Sequence, residues 1–179
     1  VRDEVGPNAR LMVDANYTLN VPKSLKMAQA FEPHEIYWLE APVSPDDVSG
    51  QAKVNALSPI PVCGNETETG IDRFRELITH RAVEFVQFDI AACGGISEGR
   101  RIADLAAAFH LPCTLHASST GILFSRELRD PTWNYRPDGC CSAHHVVRPR
   151  TIQLATALAQ HGDQSSGLIF PLIAHRLHE

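Results

Sequence analysis

The chain has 179 residues, 44% of them apolar and 21% charged, with 11 Gly and 12 Pro. That balance belongs to a folded domain, since a disordered chain would carry fewer apolar residues and a larger net charge. The net charge of −5 leaves no basic footprint for nucleic acid or an anionic membrane surface.

No run approaches the ~20 consecutive apolar residues of a membrane span. Val1-Arg2-Asp3-Glu4 is not the basic and then apolar opening of a signal peptide. With no initiator Met, a start partway through a longer chain is the expected reading. The five cysteines are Cys63, Cys93, Cys113, Cys140 and Cys141; the number is odd and no CxxC occurs. They read as reduced thiols in a cytoplasmic protein rather than a disulfide framework.

Taken in chain order, short apolar runs at 10–13, 36–39, 60–63, 82–88 and 111–115 read as buried strands. Helical patterns lie between them. Residues 22–31 carry Leu25, Ala28 and Phe31 on one face, with Asn20 as cap and Pro22 in the first turn. Ile71, Phe74 and Ile78 make a second stripe; Ile102, Leu105, Ala106 and Phe109 make a third behind a Ser97 cap. Strand–helix alternation with short polar connections predicts an α/β fold, a parallel sheet with helices packed outside it.

A polar residue closes each predicted strand. Asp14, Glu40, Glu66, Asp89 and His116 follow one another at intervals of 26, 26, 23 and 27 residues, about one strand–helix unit each. An open doubly wound sheet also alternates, yet it gives no reason for four carboxylates and a His to share one phase. In a (β/α) barrel that phase is the C-terminal rim, where active sites are built. The expectation is a partial TIM-like barrel of about five units, because 179 residues fall short of the ~250 of a closed one.

The pattern divides the chain into a partial barrel domain at 1–123 and an irregular or anomalous tail at 124–179. The first part holds 16 acidic and 10 basic residues, the second 5 and 6, with five of the nine His. Alternation fades there, although 151–160 could form one helix. Two readings of the tail stand open: an irregular end of the fold, or a misread or frameshifted end foreign to it. Cys140-Cys141 and His144-His145 lack zinc-ligand spacing.

Three carboxylates delivered by three successive strands suit a hard divalent cation, and Asp14, Glu40 and Glu66 are the expected Mg²⁺ ligands. Any one of them alone would read as a solvated or capping acid; three in phase favour the metal. Glu68 is an alternative third ligand. Asp89 and His116 fall on adjacent strand ends, where a carboxylate can fix the tautomer of an imidazole base. Asn16 should face the same mouth, and Ser118, in the run His116-Ala117-Ser118-Ser119-Thr120, could bind a hydroxylated substrate or cap a helix. Gly94-Gly95 could approach an anion, though a tight turn is the plainer reading.

These residues resemble the barrel domain of the enolase superfamily, in its mandelate racemase/muconate lactonizing enzyme-like, acid-sugar dehydratase branch. The motifs are Val13-Asp14-Ala15-Asn16, Trp38-Leu39-Glu40-Ala41-Pro42-Val43, Gly64-Asn65-Glu66, Phe74-Arg75-Glu76-Leu77, Val86-Gln87-Phe88-Asp89, Gly94-Gly95-Ile96 and Leu115-His116. They cover roughly residues 1–123. The resemblance implies Mg²⁺ at Asp14, Glu40 and Glu66, a His116–Asp89 dyad, and abstraction of the proton α to a carboxylate to give an enediolate. The implied enzyme is a carbon–oxygen lyase of carbohydrate acid catabolism, acting on a small sugar acid.

Departures from the family pattern qualify this. The amino-terminal capping domain and the Lys-x-Lys strand have no counterpart; the only lysines are Lys23, Lys26 and Lys53. Asn65 stands where relatives often carry another residue, and Glu127, Asp130 and Asp138 do not supply the acid expected one strand after His116. Two alternatives therefore stand beside the dehydratase: a racemase or epimerase of a 2-hydroxy acid, and an inactive truncated fragment. The chain alone is expected to turn over little substrate, and a homo-oligomer is left open.

Overall fold

Five parallel strands and the helices between them form the structure, a computed structural model that describes residues 1–116 and the backbone of 172–176. After a short helix α1 (Arg2–Val5), the units run β1 (Ala9–Asp14), α2 (Val21–Phe31), β2 (Ile36–Glu40), α3 (Val48–Leu57), β3 (Val62–Gly64), α4 (Ile71–Thr79), β4 (Phe85–Asp89), α5 (Ile90–Cys93), α6 (Ile96–Ala108) and β5 (Cys113–His116). The sheet order is β5-β4-β3-β2-β1-β6, in which β1 to β5 pair in parallel as a curled half-barrel. The last strand, β6 (Leu172–Arg176), pairs antiparallel with β1, Leu11 opposite Ala174.

The alternation of side chains along each strand divides the apolar residues between two faces. Val62, Val86 and Phe88 point to the helices and pack with Phe74, Leu77, Ile78 and Ile102, all buried. Leu11, Val13 and Leu39 do the same against Ala28 of α2. The opposite face carries Met12, Trp38 and Cys63, closed over by Tyr37 and Phe85. The rings of Tyr37, Trp38 and Phe85 lie 5.2–5.3 Å apart in tilted pairs. Period 2 then places Asp14, Glu40 and Asp89 on this inner face, at the C-terminal ends of their strands.

The expected strands are present, and each ends one residue later than expected. Asp14, Glu40, Asp89 and His116 are the last residues of their strands rather than the residues after them. Glu66 lies two residues beyond β3. The Asn20 cap forms, its side chain accepting from the Lys23 amide at 3.1 Å. Ser97 does not cap α6: the helix starts at Ile96 behind Gly95. Gly94 and Gly95 both have positive φ, 117° and 96°, so the chain turns from α5 straight into α6 before Ser97 is reached. Phe109 is also off the predicted stripe; it follows the helix and is 48% exposed.

Helices α1, α3 and α5 and strand β6 have no counterpart in the sequence reading. Helix α3 buries Val48, Gly50, Gln51 and Val54, a face half made of glycine and amide that no apolar stripe reveals. Strand β6 falls in the region read as an irregular tail. The rest of 124–179, including the helix expected over 151–160, lies outside the described residues. Among those residues no helix is long and apolar enough to cross a membrane. Cys63 and Cys93 are buried and Cys113 is half-buried.

Candidate active site at the strand ends

Sheet register assembles the site in two pairs. Asp14 stands opposite Glu40 across β1 and β2, and Asp89 opposite His116 across β4 and β5. His116 Nδ1 lies 3.2 Å from Asp89 Oδ2. Asp89 is buried, and its other oxygen, Oδ1, accepts from the Ala91 amide at 2.7 Å and caps α5. The carboxylate is thus held at both oxygens, which fixes the face it offers to the imidazole.

Glu40 is 5% exposed and accepts two hydrogen bonds, from Gln87 Nε2 to Oε1 at 2.8 Å and from Trp38 Nε1 to Oε2 at 3.0 Å. Burial nevertheless pushes its carboxyl up to about 7, and the nearby Asp14 and Glu66 add to the rise. Gln87 serves Glu40 at its own expense: its buried Oε1 finds no partner. An orphaned amide oxygen costs about 1–3 kcal/mol. Burial also raises Asp14, whose Oδ1 accepts from the Asn16 amide at 2.7 Å; Glu66 adds to the rise and His116 opposes it. Asp14, Glu40, Glu66 and His116 therefore share one electrostatic environment.

Glu66 is drawn aside by Tyr17, whose hydroxyl donates to Oε2 at 2.8 Å. Glu68 is buried and taken by Arg73, with Nε to Oε2 at 2.9 Å and Nη2 to Oε1 at 3.1 Å. That bidentate pair withdraws Glu68 from the role of alternative ligand. Among the described residues, no three His, Cys, Asp or Glu side chains are gathered tightly enough to hold a metal ion. The donor set still fits Mg²⁺ chemically: three carboxylates from successive strand ends, two of them raised by burial and by neighbouring carboxylates, an imbalance that a cation offsets.

Asn16 is exposed with φ 45°, and the contact seen for it is through its backbone. Ser118 lies outside the described residues. Gly94 and Gly95 form the plain turn. Sequence reasoning missed Trp38, Gln87, Tyr17 and Arg73. The first two were findable, because each precedes a site carboxylate by two residues on the same strand and so shares its face. Tyr17 and Arg73 lie in a loop and a helix, where no periodicity points to a partner.

The family described as "Enolase C-terminal domain-like" matches residues 1–164. The chain belongs to that family. It is 35% identical over 129 residues to a D-galactarolactone cycloisomerase of Agrobacterium fabrum, covering 72% of this chain and 34% of the relative. The crystal structure of L-talarate dehydratase from Polaromonas sp. JS666, complexed with Mg and L-glucarate, superposes with a TM-score of 0.63 at 32% identity, over 65% of this chain and 33% of that one. A mandelate racemase/muconate lactonizing enzyme-like protein from Rubrobacter xylanophilus gives 0.69 at 34% identity, over 71% and 32%. The chain spans about a third of the length of these relatives.

Proposed function

We propose that the strand-end site belongs to a Mg²⁺-dependent carbon–oxygen lyase that dehydrates a sugar acid, with His116 as the base. The observation that carries this reading is the Asp89–His116 hydrogen bond, made between register partners at the rim that also bears the three carboxylates. Asp14, Glu40 and Glu66 would hold the cation, with Gln87 and Trp38 orienting Glu40. Bound there, Mg²⁺ supplies electrostatic stabilisation of the charge that develops on a substrate carboxylate.

The residues of this chain do the proton work. With Nδ1 committed to Asp89, His116 Nε2 takes the proton α to the substrate carboxylate, and the electron pair of the C–H bond moves toward the carboxylate. The imidazolium then returns that proton to the departing β-hydroxyl, which leaves as water. The dyad ends as it began, so one base serves both transfers. Relatives and structural neighbours carry the names of sugar-acid dehydratases and a cycloisomerase, and one neighbour was crystallised with Mg and L-glucarate, which supports the substrate class and the cation.

The test is an incubation of the chain with Mg²⁺ and a panel of five- and six-carbon aldonic and aldaric acids in D₂O. NMR should report deuterium entering C2 of at least one acid, with little 2-keto-3-deoxy product formed by the chain alone. His116→Asn should reduce the exchange by about 10²–10⁴-fold, the usual worth of a positioned base. Exchange unaffected by His116→Asn would reject the reading.

A further inference from the structure

The loop after β1 holds two consecutive non-glycine residues in the left-handed region, Asn16 at φ 45° and Tyr17 at φ 59°. Such backbone is uncommon outside glycine and persists where the surroundings enforce it. Here the Tyr17 amide donates to Ala41 O at 2.7 Å, anchoring the loop across β2. The effect is to deliver the Tyr17 phenol to Glu66, a residue 49 positions away. Thr67 Oγ1 donates back to the phenol oxygen at 3.2 Å. With its acceptor side filled by Thr67, the phenol keeps its own proton directed at Glu66 Oε2.

One oxygen of Glu66 is therefore occupied and Oε1 is the one left to face a cation. The same holds at Asp14, where the Asn16 amide takes Oδ1; Glu40 differs, since Gln87 and Trp38 bond to one of its oxygens each and leave each a second lone pair. A chelating carboxylate must turn both oxygens to the ion; a carboxylate pinned at one oxygen ligates through the other. Mg²⁺ wants six close oxygens in octahedral array, whereas Ca²⁺ takes 6–8 at longer range and favours bidentate carboxylates.

We propose that Tyr17 is a positioning residue that fixes Glu66 as a one-oxygen ligand and so biases the site toward a small octahedral cation over Ca²⁺. The inference rests on the reading of Asp14, Glu40 and Glu66 as the ligands. It assigns the phenol no contact with substrate.

The test is calorimetric titration of the full chain with MgCl₂ and, separately, with CaCl₂, for the wild type, Tyr17→Phe, Thr67→Ala and Glu66→Gln. Circular dichroism checks that each variant keeps its fold. In Tyr17→Phe, Mg²⁺ affinity should stay within about threefold of wild type while Ca²⁺ affinity rises on the order of tenfold, the worth of one hydrogen bond to a charged group. Thr67→Ala, at an exposed residue, should move the same ratio in the same direction by less, and it carries the test if Tyr17→Phe fails to fold. A Mg²⁺/Ca²⁺ ratio unchanged in both variants overturns the proposal, as does equal tightening of both cations, which would make the phenol a mere competitor. Loss of Mg²⁺ binding in Glu66→Gln together with an unchanged ratio in Tyr17→Phe overturns the role of Tyr17 alone. Mg²⁺ binding that is absent in the wild type, or indifferent to Glu66→Gln, overturns the ligand reading and the Tyr17 proposal with it.

Discussion

Asp89 and His116 are register partners at the ends of neighbouring parallel strands, and the pairing of β4 with β5 sets their hydrogen bond. The proposed base is thus positioned by backbone hydrogen bonds rather than by a loop. Its partner has a second duty, since Asp89 Oδ1 caps α5 through the Ala91 amide. The two duties can be separated. Asp89→Asn keeps an oxygen for the cap and removes the charge, so proton exchange should fall by about 10²-fold with the thermal midpoint nearly unchanged. Asp89→Ala should lose the exchange and about 1 kcal/mol of stability as well. Exchange rates and melting curves of both variants check this.

Glu40 makes stability depend on pH in an unusual direction. Its carboxyl is pushed from an ordinary 4.5 up to about 7, chiefly by burial, so the folded chain holds a proton that the unfolded chain releases. Stability from this group is complete below about 4.5 and is lost as pH rises through about 7. Denaturant midpoints should fall between pH 5 and pH 8, and Glu40→Gln should flatten that change. Added Mg²⁺ should raise the midpoint more at pH 8 than at pH 5, because a proton no longer competes for the carboxylate; removal by EDTA should reverse it.

Arg73 holds Glu68 with two hydrogen bonds and reaches Glu76 at 2.6 Å. Removing it leaves Glu68 buried without its partner. Arg73→Ala should cost about 1–3 kcal/mol in chemical denaturation, moderated because Arg73 is partly exposed. Arg73→Lys should recover only part, since an ammonium cannot make the planar two-point contact. Full recovery by Lys would reduce the pair to simple charge.

Much of the fold is legible in the amino-acid sequence alone. The five strands follow from short apolar runs, the Asn20 cap from an Asn ahead of a Pro in the first turn, and the spacing of Asp14, Glu40, Glu66, Asp89 and His116 from the length of one strand–helix unit. The misses have physical causes. Helix α3 is invisible to patterning because its buried face includes Gly50 and Gln51, and the bond that Gln51 Nε2 donates to Asn65 Oδ1 at 2.7 Å is created only by tertiary structure. The start of α6 depends on two adjacent positive-φ glycines rather than on a capping serine. Tyr17 depends on a strained loop that hydrophobic patterning does not register.

The central claim is that Asp14, Glu40 and Glu66 bind one cation in the same mouth as His116. Paramagnetic broadening in the full chain tests it most directly, with Mn²⁺ standing in for Mg²⁺ at a carboxylate site. His116 ring resonances, assigned by their loss in His116→Asn, should broaden at sub-stoichiometric Mn²⁺ while those of His34 and His80 stay sharp, and Asp14→Asn should abolish the difference. Uniform broadening of all the histidines, or selective broadening that survives Asp14→Asn, would contradict the claim.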